Sequence, residues 1–199
     1  NKMLSLLGGM PLVEFVYRRC GNSAETDTVA VITSEDKSDD PIFDHCVKNK
    51  MEVHRGPLDN VLERYIRAAE YYNSETICRV CGDSPFVDTE LMDKMFEVIE
   101  EKDLDYVSPV KGTFIAGLDS EIVTLNALKK SLDNRASREE LEHVTLYIRN
   151  NIGDFKAASI DAKLKPDKLK HVSLTVDYPK DLVLCNKILD AVGDRKCFS

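Results

Sequence analysis

Two short stretches carry an acid where a plain turn needs none. In RVCGDSPFVD, Arg79 to Asp88, an apolar segment ends in Gly82-Asp83-Ser84-Pro85. In LTVDYPKDL, Leu174 to Leu182, a second apolar segment ends in Asp177, with Pro179 two residues on. Gly and Pro suffice to turn a chain, so the carboxylates need their own explanation. Open α/β sheets bind ligands beyond the carboxyl ends of their strands. Two strand-tip carboxylates there suit a hard cation such as Mg2+, which takes a few carboxylate oxygens and completes its shell with water and phosphate. For either aspartate alone, a turn or helix-cap role is the commoner explanation. The two together shift the balance toward a metal held by Asp83 and Asp177.

Other polar residues admit two readings each. Arg79 and Arg55 lie near strand ends, where a guanidinium grips phosphate or carboxylate at two points or simply pairs with a neighbouring acid. Asp119 and Glu121, in GLDSEIV, share a strand face by alternation and could meet a polar ligand or solvent. His143, in EHVT on a helix, is a candidate substrate contact or base, although a helix-borne histidine more often makes a structural hydrogen bond. Cys78 and Cys81 form a lone C-x-x-C inside a strand, where residues three apart face opposite ways. With no second pair to complete a zinc site, the six cysteines read as buried, reduced thiols of a cytoplasmic protein.

The elements that must position these residues alternate in kind. TVAVIT (28–33), ETICRV (75–80) and LDYVS (104–108) read as strands. Helical spacing separates them: Val61, Leu62, Tyr65, Ile66, Ala69 and Tyr72 behind Asp59 as N-cap, and Leu91, Met95, Val98 and Ile99 behind Asp88. A helix is expected from Pro11 to about Cys20. SREELEHVTLYIRNN opens with a capping box, Ser137 to Glu140, and reads as one helix. FKAAS and HVSLTVD follow as strands, and a last helix runs from Pro179 to about Gly193. Strands alternating with helices imply right-handed crossovers and a mostly parallel sheet.

The 199 residues are expected to form a single domain, with 43% hydrophobic and 31% charged residues in the globular range. A net charge of −8 argues against a nucleic-acid partner but leaves room for a nucleotide. No apolar run reaches the roughly 20 residues needed to span a membrane. No G-x-G-x-x-G or G-x-x-x-x-G-K-[ST] loop occurs.

RVCGDSPFVD resembles the R-x-T-G-D-x-P-L-I-D stretch of sugar cytidylyltransferases of the spore-coat-polysaccharide branch, relatives of the acylneuraminate and ketodeoxyoctonate cytidylyltransferases. HRGPLDNVLERY, GLDSEIV, EHVTLYIR and LTVDYPKDL resemble further blocks of that family in the same order, and GGMPLVEFV resembles the start of its first helix. The resemblance implies a Rossmann-like, three-layer, GT-A-like nucleotide-diphospho-sugar transferase fold with a dimerisation segment in the second half. It also implies transfer of CMP from CTP to a sugar, with Asp83 and Asp177 on Mg2+ and Lys2 neutralising triphosphate charge. Arg79, Gly82 and Arg55 would lie at the nucleotide and Asp119, Glu121 and His143 at the sugar, in a homodimer.

Three positions depart from the pattern. Met10 stands for a lysine, Cys81 for a threonine and Leu146 for a proline. The family's first strand and its phosphate-gripping loop would precede Asn1, and they are expected there because a parallel sheet without its central strand strands backbone groups. A GT-A-like glycosyltransferase is the alternative enzyme. Its D-x-D should end a strand, whereas Asp103-Leu104-Asp105 precedes one. A non-catalytic dimerising relative is the third reading.

Overall fold

The structure is a computed structural model that describes residues 2–134, 136–163 and 171–193; Asn1 and Cys197 lie outside them. A tight hairpin, β1 (Leu6–Leu7) and β2 (Met10–Pro11), turns on Gly8 and Gly9 at φ 56° and 83° and feeds α1 (Leu12–Cys20). Then come β3 (Val31–Ser34), α2 (Asp40–Lys48), β4 (Val53–Gly56), α3 (Val61–Tyr71) and β5 (Thr76–Arg79). They are followed by α4 (Thr89–Glu101), β6 (Tyr106–Pro109), β7 (Glu121–Thr124) and α5 (Leu125–Asp133). Two short helices, α6 (Arg138–Glu142) and α7 (Leu146–Asn150), precede β8 (Ala157–Ile160) and α8 (Pro179–Val192).

Local chemistry sets the helix starts. Asp88 caps α4, its Oδ1 accepting the Leu91 N–H at 2.9 Å. For α3 the cap is Asn60, one residue beyond the expected Asp59, and it accepts the Glu63 N–H at 2.9 Å. The capping box of Ser137 and Glu140 forms as expected, with bonds of 2.8 and 3.3 Å. The single helix expected behind it nevertheless divides into α6 and α7. The chain breaks at His143–Thr145 because Thr145 is fully buried and turns its hydroxyl inward onto Glu121, 2.8 Å away.

The larger sheet has the order β5-β7-β6-β8, and β3 pairs with β4 in a parallel ribbon. In the larger sheet β6 and β8 are parallel, but β7 runs antiparallel to both its neighbours. The sheet is therefore mixed where the sequence suggested mostly parallel. Loop 110–120 carries no crossover helix, so β7 returns against β6. HVSLTVD is not a regular strand either, since only Ser173 makes a ladder bridge, to Ala116.

Side chains alternate across the larger sheet into two apolar layers. Val107 and Ile122 pack under α1, α4 and α8 with Phe15, Met95 and Leu189. Tyr106 and Val123 pack under α3, α5 and α7 with Leu62, Leu128 and Ile148. The result is three layers, helices on sheet on helices. The ribbon and the larger sheet do not hydrogen-bond to one another among the described residues. A cavity of about 820 Å3 runs between residues 28–33 and 74–83 and is closed by α1, α3 and α4.

Candidate active site

Beyond β5 the chain turns through Cys81–Ser84, the Ser84 N–H bonding the Cys81 carbonyl at 3.0 Å, which exposes Asp83 at the sheet's rim. Gly82 has an ordinary backbone, and its contribution is space. A Cβ there would lie 2.8 Å from the Met3 methyl group, so the glycine lets Met3 pack against the turn. Lys2, next to Met3, thereby reaches across: its Nζ lies 3.1 Å from Asp83 Oδ2 and 3.8 Å from Asp177 Oδ1.

Asp177 is brought to this point by backbone docking. The Leu174 N–H bonds the Ala116 carbonyl and the Val176 N–H bonds the Asp83 carbonyl, each at 2.8 Å. Gly117, at φ +93°, makes the approach possible, because a Cβ on it would meet the Leu174 carbonyl carbon at 2.7 Å. Asp119 supports the same turn, its Oδ1 accepting the Gly117 N–H at 3.1 Å. The α8 start is capped by Asp181, whose Oδ2 accepts the N–H groups of Asp177 and Tyr178 at 3.1 and 2.8 Å. That leaves the Asp177 carboxylate free of capping duty; its recorded partners are the Thr175 hydroxyl at 3.0 Å and Lys2.

Two carboxylates thus converge on one ammonium while remaining 29% and 54% exposed, which keeps them open to a ligand. Among the described residues no group of three or more histidine, cysteine or acidic side chains is arranged to hold a metal. A pair of hard oxygen donors around a bound positive charge still fits Mg2+, which draws the rest of its shell from water and phosphate.

One strand inward lies a different arrangement. Arg79 and Glu121 are paired in register on β5 and β7, and Arg79 Nη1 donates to Glu121 Oε2 at 2.9 Å. The Thr145 hydroxyl donates to the same oxygen at 2.8 Å, and the Tyr106 phenol donates to the other. Burial together with the Glu121 charge pushes the Tyr106 phenol up, which keeps it a donor. Arg149 Nε stands at 4.0 Å from Glu121 Oε1. Glu121 is therefore buried and engaged by protein groups, whereas the sequence offered it for sugar hydroxyls. Arg79 is correspondingly tied to Glu121.

Among the described residues no hydrogen bond or ion pair joins the remaining expected residues to the two aspartates. Arg55 clamps the end of β3, donating to the Ser34 carbonyl at 2.7 Å and the Asp36 carbonyl at 3.0 Å and pairing with Asp40 at 2.8 Å. His143 is exposed at the end of α6, and among the described residues its side chain makes no hydrogen bond or ion pair. Asp103 pairs with Lys156, and Asp105 accepts the Lys156 N–H at 2.9 Å, so the D-x-D stretch sits at the opposite end of β6 from the rim. Burial pushes the Cys20 thiol up to about 12 and those of Cys46 and Cys185 up to about 11, which keeps them protonated. The sequence reading passed over Gly117, Tyr106, Thr145 and Arg149. Thr145 and Arg149 did carry a signal, lying four apart within EHVTLYIR.

A three-layer α/β fold with a carboxylate pair at the sheet's rim is one that nucleotidyltransferases use, and comparison with known proteins assigns the chain to that class. The family model for cytidylyltransferases matches residues 1–185. The chain is 30% identical to the spore coat polysaccharide biosynthesis protein SpsF of Bacillus subtilis, over 98% of this chain and 82% of that protein. Its fold is similar to a cytidylyltransferase from Leptospira borgpetersenii, with a TM-score of 0.83 and 24% identity over 99% and 89% of the two chains. It is also similar to a CMP:2-keto-3-deoxy-manno-octonic acid synthetase solved with CTP, with a TM-score of 0.71 and 12% identity over 96% and 92%. This chain belongs to the cytidylyltransferase family. Among the described residues no helix is long and apolar enough to cross a membrane.

Proposed function

We propose that this protein transfers CMP from CTP to a hydroxyl of a sugar, in the synthesis of a surface polysaccharide, as a Mg2+-dependent cytoplasmic homodimer. The observation that carries the reading is the meeting of Asp83 and Asp177 on one cationic group. In the reaction, the sugar oxygen forms a bond to the α-phosphorus and the bond from that phosphorus to the β-phosphate oxygen breaks. Pyrophosphate leaves, and the hydroxyl proton passes to solvent.

Charge builds on phosphate oxygens along this path, so positioning and electrostatic stabilisation supply most of the catalysis. Mg2+ held by Asp83 and Asp177 would supply Lewis-acid polarisation of the phosphoryl group. Lys2, already at the same point, adds a positive charge for the triphosphate. Gly117 and the backbone bonds of residues 174–176 hold Asp177 in place, and preorganisation of this kind removes reorganisation cost from the barrier. The family assignment and the SpsF relative support the nucleotide and the pathway.

A pyrophosphate-release screen tests the reading, with each nucleoside triphosphate against acidic and neutral sugars, with and without Mg2+. Release that needs CTP, a sugar and Mg2+ is the expected outcome. A preference for UTP, or full activity in the presence of a chelator, would overturn it.

A further inference from the structure

The two rim aspartates are held by a charge of the protein's own. Lys2 Nζ lies 3.1 Å from Asp83 Oδ2 and 3.8 Å from Asp177 Oδ1, so one ammonium sits against both carboxylates. It stands where a cation shared by the same two oxygens has to lie. Mg2+ takes carboxylate oxygens at about 2.0–2.1 Å, so it needs the oxygens that the ammonium faces. Two cations that close repel one another. Lys2 and a metal ion therefore exclude each other at this point.

The backbone around Lys2 is fastened independently of its side chain. The Lys2 carbonyl accepts the Ser5 N–H at 3.1 Å, and the Ser5 carbonyl accepts the Leu12 N–H at 2.9 Å, which ties the turn to the start of α1. Met3 fastens the other side, its methyl group against the Gly82 turn and its side chain against two apolar clusters. The ammonium ends a flexible four-carbon stem that is 40% exposed. Among the described residues its ion pairs are to these two carboxylates. The side chain can thus leave while the turn that carries it stays in place.

We propose that Lys2 is a tethered counter-ion, whose ammonium fills the cation position between Asp83 and Asp177 and is exchanged for Mg2+ when the metal binds. The proposal rests on the reading of this rim as a Mg2+ site and adds what sets its affinity. Competition at one point lowers the apparent affinity for Mg2+ by the fraction of molecules in which the ammonium fills it. The exchange keeps two like charges together before the ion arrives, and it frees the ammonium for an anionic ligand as the ion binds.

The test titrates Mg2+ alone into the full chain, followed by calorimetry and by NMR of the Lys2 ε-methylene group. That signal should move saturably, with the midpoint that calorimetry gives. Lys2→Met removes the charge, and it should bind Mg2+ about tenfold more tightly, the gain expected if the ammonium fills the site about nine-tenths of the time. Asp177→Asn placed in the Lys2→Met chain should abolish the gain. Lys180→Met removes another exposed charge near Asp177 and should change the affinity by less than about twofold, since exposed charges are screened. Equal gains in the two lysine variants would reduce the effect to a general field and overturn the exchange. Unchanged or weaker Mg2+ binding in Lys2→Met, or a Lys2 signal that stays put while Mg2+ binds, would overturn it as well. Turnover separates this inference from the proposed function. If Mg2+ displaces Lys2 but CTP yields no pyrophosphate with any sugar, the function falls and the exchange stands. If turnover needs Mg2+ while Lys2→Met binds it no more tightly, the exchange falls and the function stands.

Discussion

Asp83 and Asp177 at the rim and Glu121 one strand inward are acidic side chains near the carboxyl end of β5, yet their surroundings are opposite. Glu121 is buried and takes hydrogen bonds from Arg79, Tyr106 and Thr145, groups contributed by β5, β6 and the turn before α7. The rim pair is solvent-accessible and shares a single ammonium. A carboxylate buried and engaged on both oxygens by its own protein ties elements together and has little left for a ligand. One left with a half-exposed lysine and open solvent has acceptor capacity to give to a metal or a substrate. The comparison also explains how the helix expected across residues 137–151 divides, since the Thr145 hydroxyl is spent on Glu121.

The largest effect that could break this contrast lies inside. Glu121→Ala should destabilise the fold by about 3–5 kcal/mol, because it leaves the Arg79 guanidinium buried without its partner. Denaturant unfolding measures this, and a loss under 1 kcal/mol would mean that the inner carboxylate is no more structural than the outer ones. At the rim the expectation inverts. Asp83→Asn and Asp177→Asn should each lower turnover by about a hundredfold or more, comparable to losing a principal electrostatic contact. Tm should move by about 2 °C or less, as for exposed positions away from packing. Variants that melt far earlier but keep their activity would show the aspartates to be turn formers.

A third, smaller effect tests what joins the rim. Gly117→Ala forces a residue at φ +93° and drives a Cβ into the Leu174 carbonyl carbon, for about 1–3 kcal/mol of strain. Activity should fall further than that stability loss accounts for, as residues 171–177 lift off and carry Asp177 away. A turnover that merely tracks the melted fraction would refute the docking role. The smallest effect concerns Asp39. Burial opposes its charge, but the Ser34 hydroxyl and N–H and the Thr33 hydroxyl outweigh it and hold its pKa below the usual carboxylate value. Its stabilisation is present above the unfolded pKa of about 3.9 and is lost as pH falls through the lower folded value. Urea midpoints followed from pH 6 to pH 2.5 should therefore drop less steeply in Asp39→Asn than in the unaltered protein.

Much of this architecture was legible in the residues themselves. Capping by Asp88, the Ser137–Glu140 box and the Pro179 start of α8 follow from local hydrogen bonding that a few neighbouring residues decide. The apolar spacing of α3 and α4 identified them for the same reason, because a 3.6-residue period is a property of the segment alone. GDSP and TVDYP marked the two aspartates by type and position. What tertiary structure decided is everything that depends on which segments meet. β7 runs antiparallel because loop 110–120 brings it back beside β6, and Glu121 became structural because Tyr106, Thr145 and Arg79 converge on it from three elements. Arg55 likewise went to the carbonyls of Ser34 and Asp36, and Arg149 came to stand 4.0 Å from Glu121. Hydrogen-bond capacity is shared among whichever groups the fold brings within about 3 Å, and no single segment contains that list of neighbours.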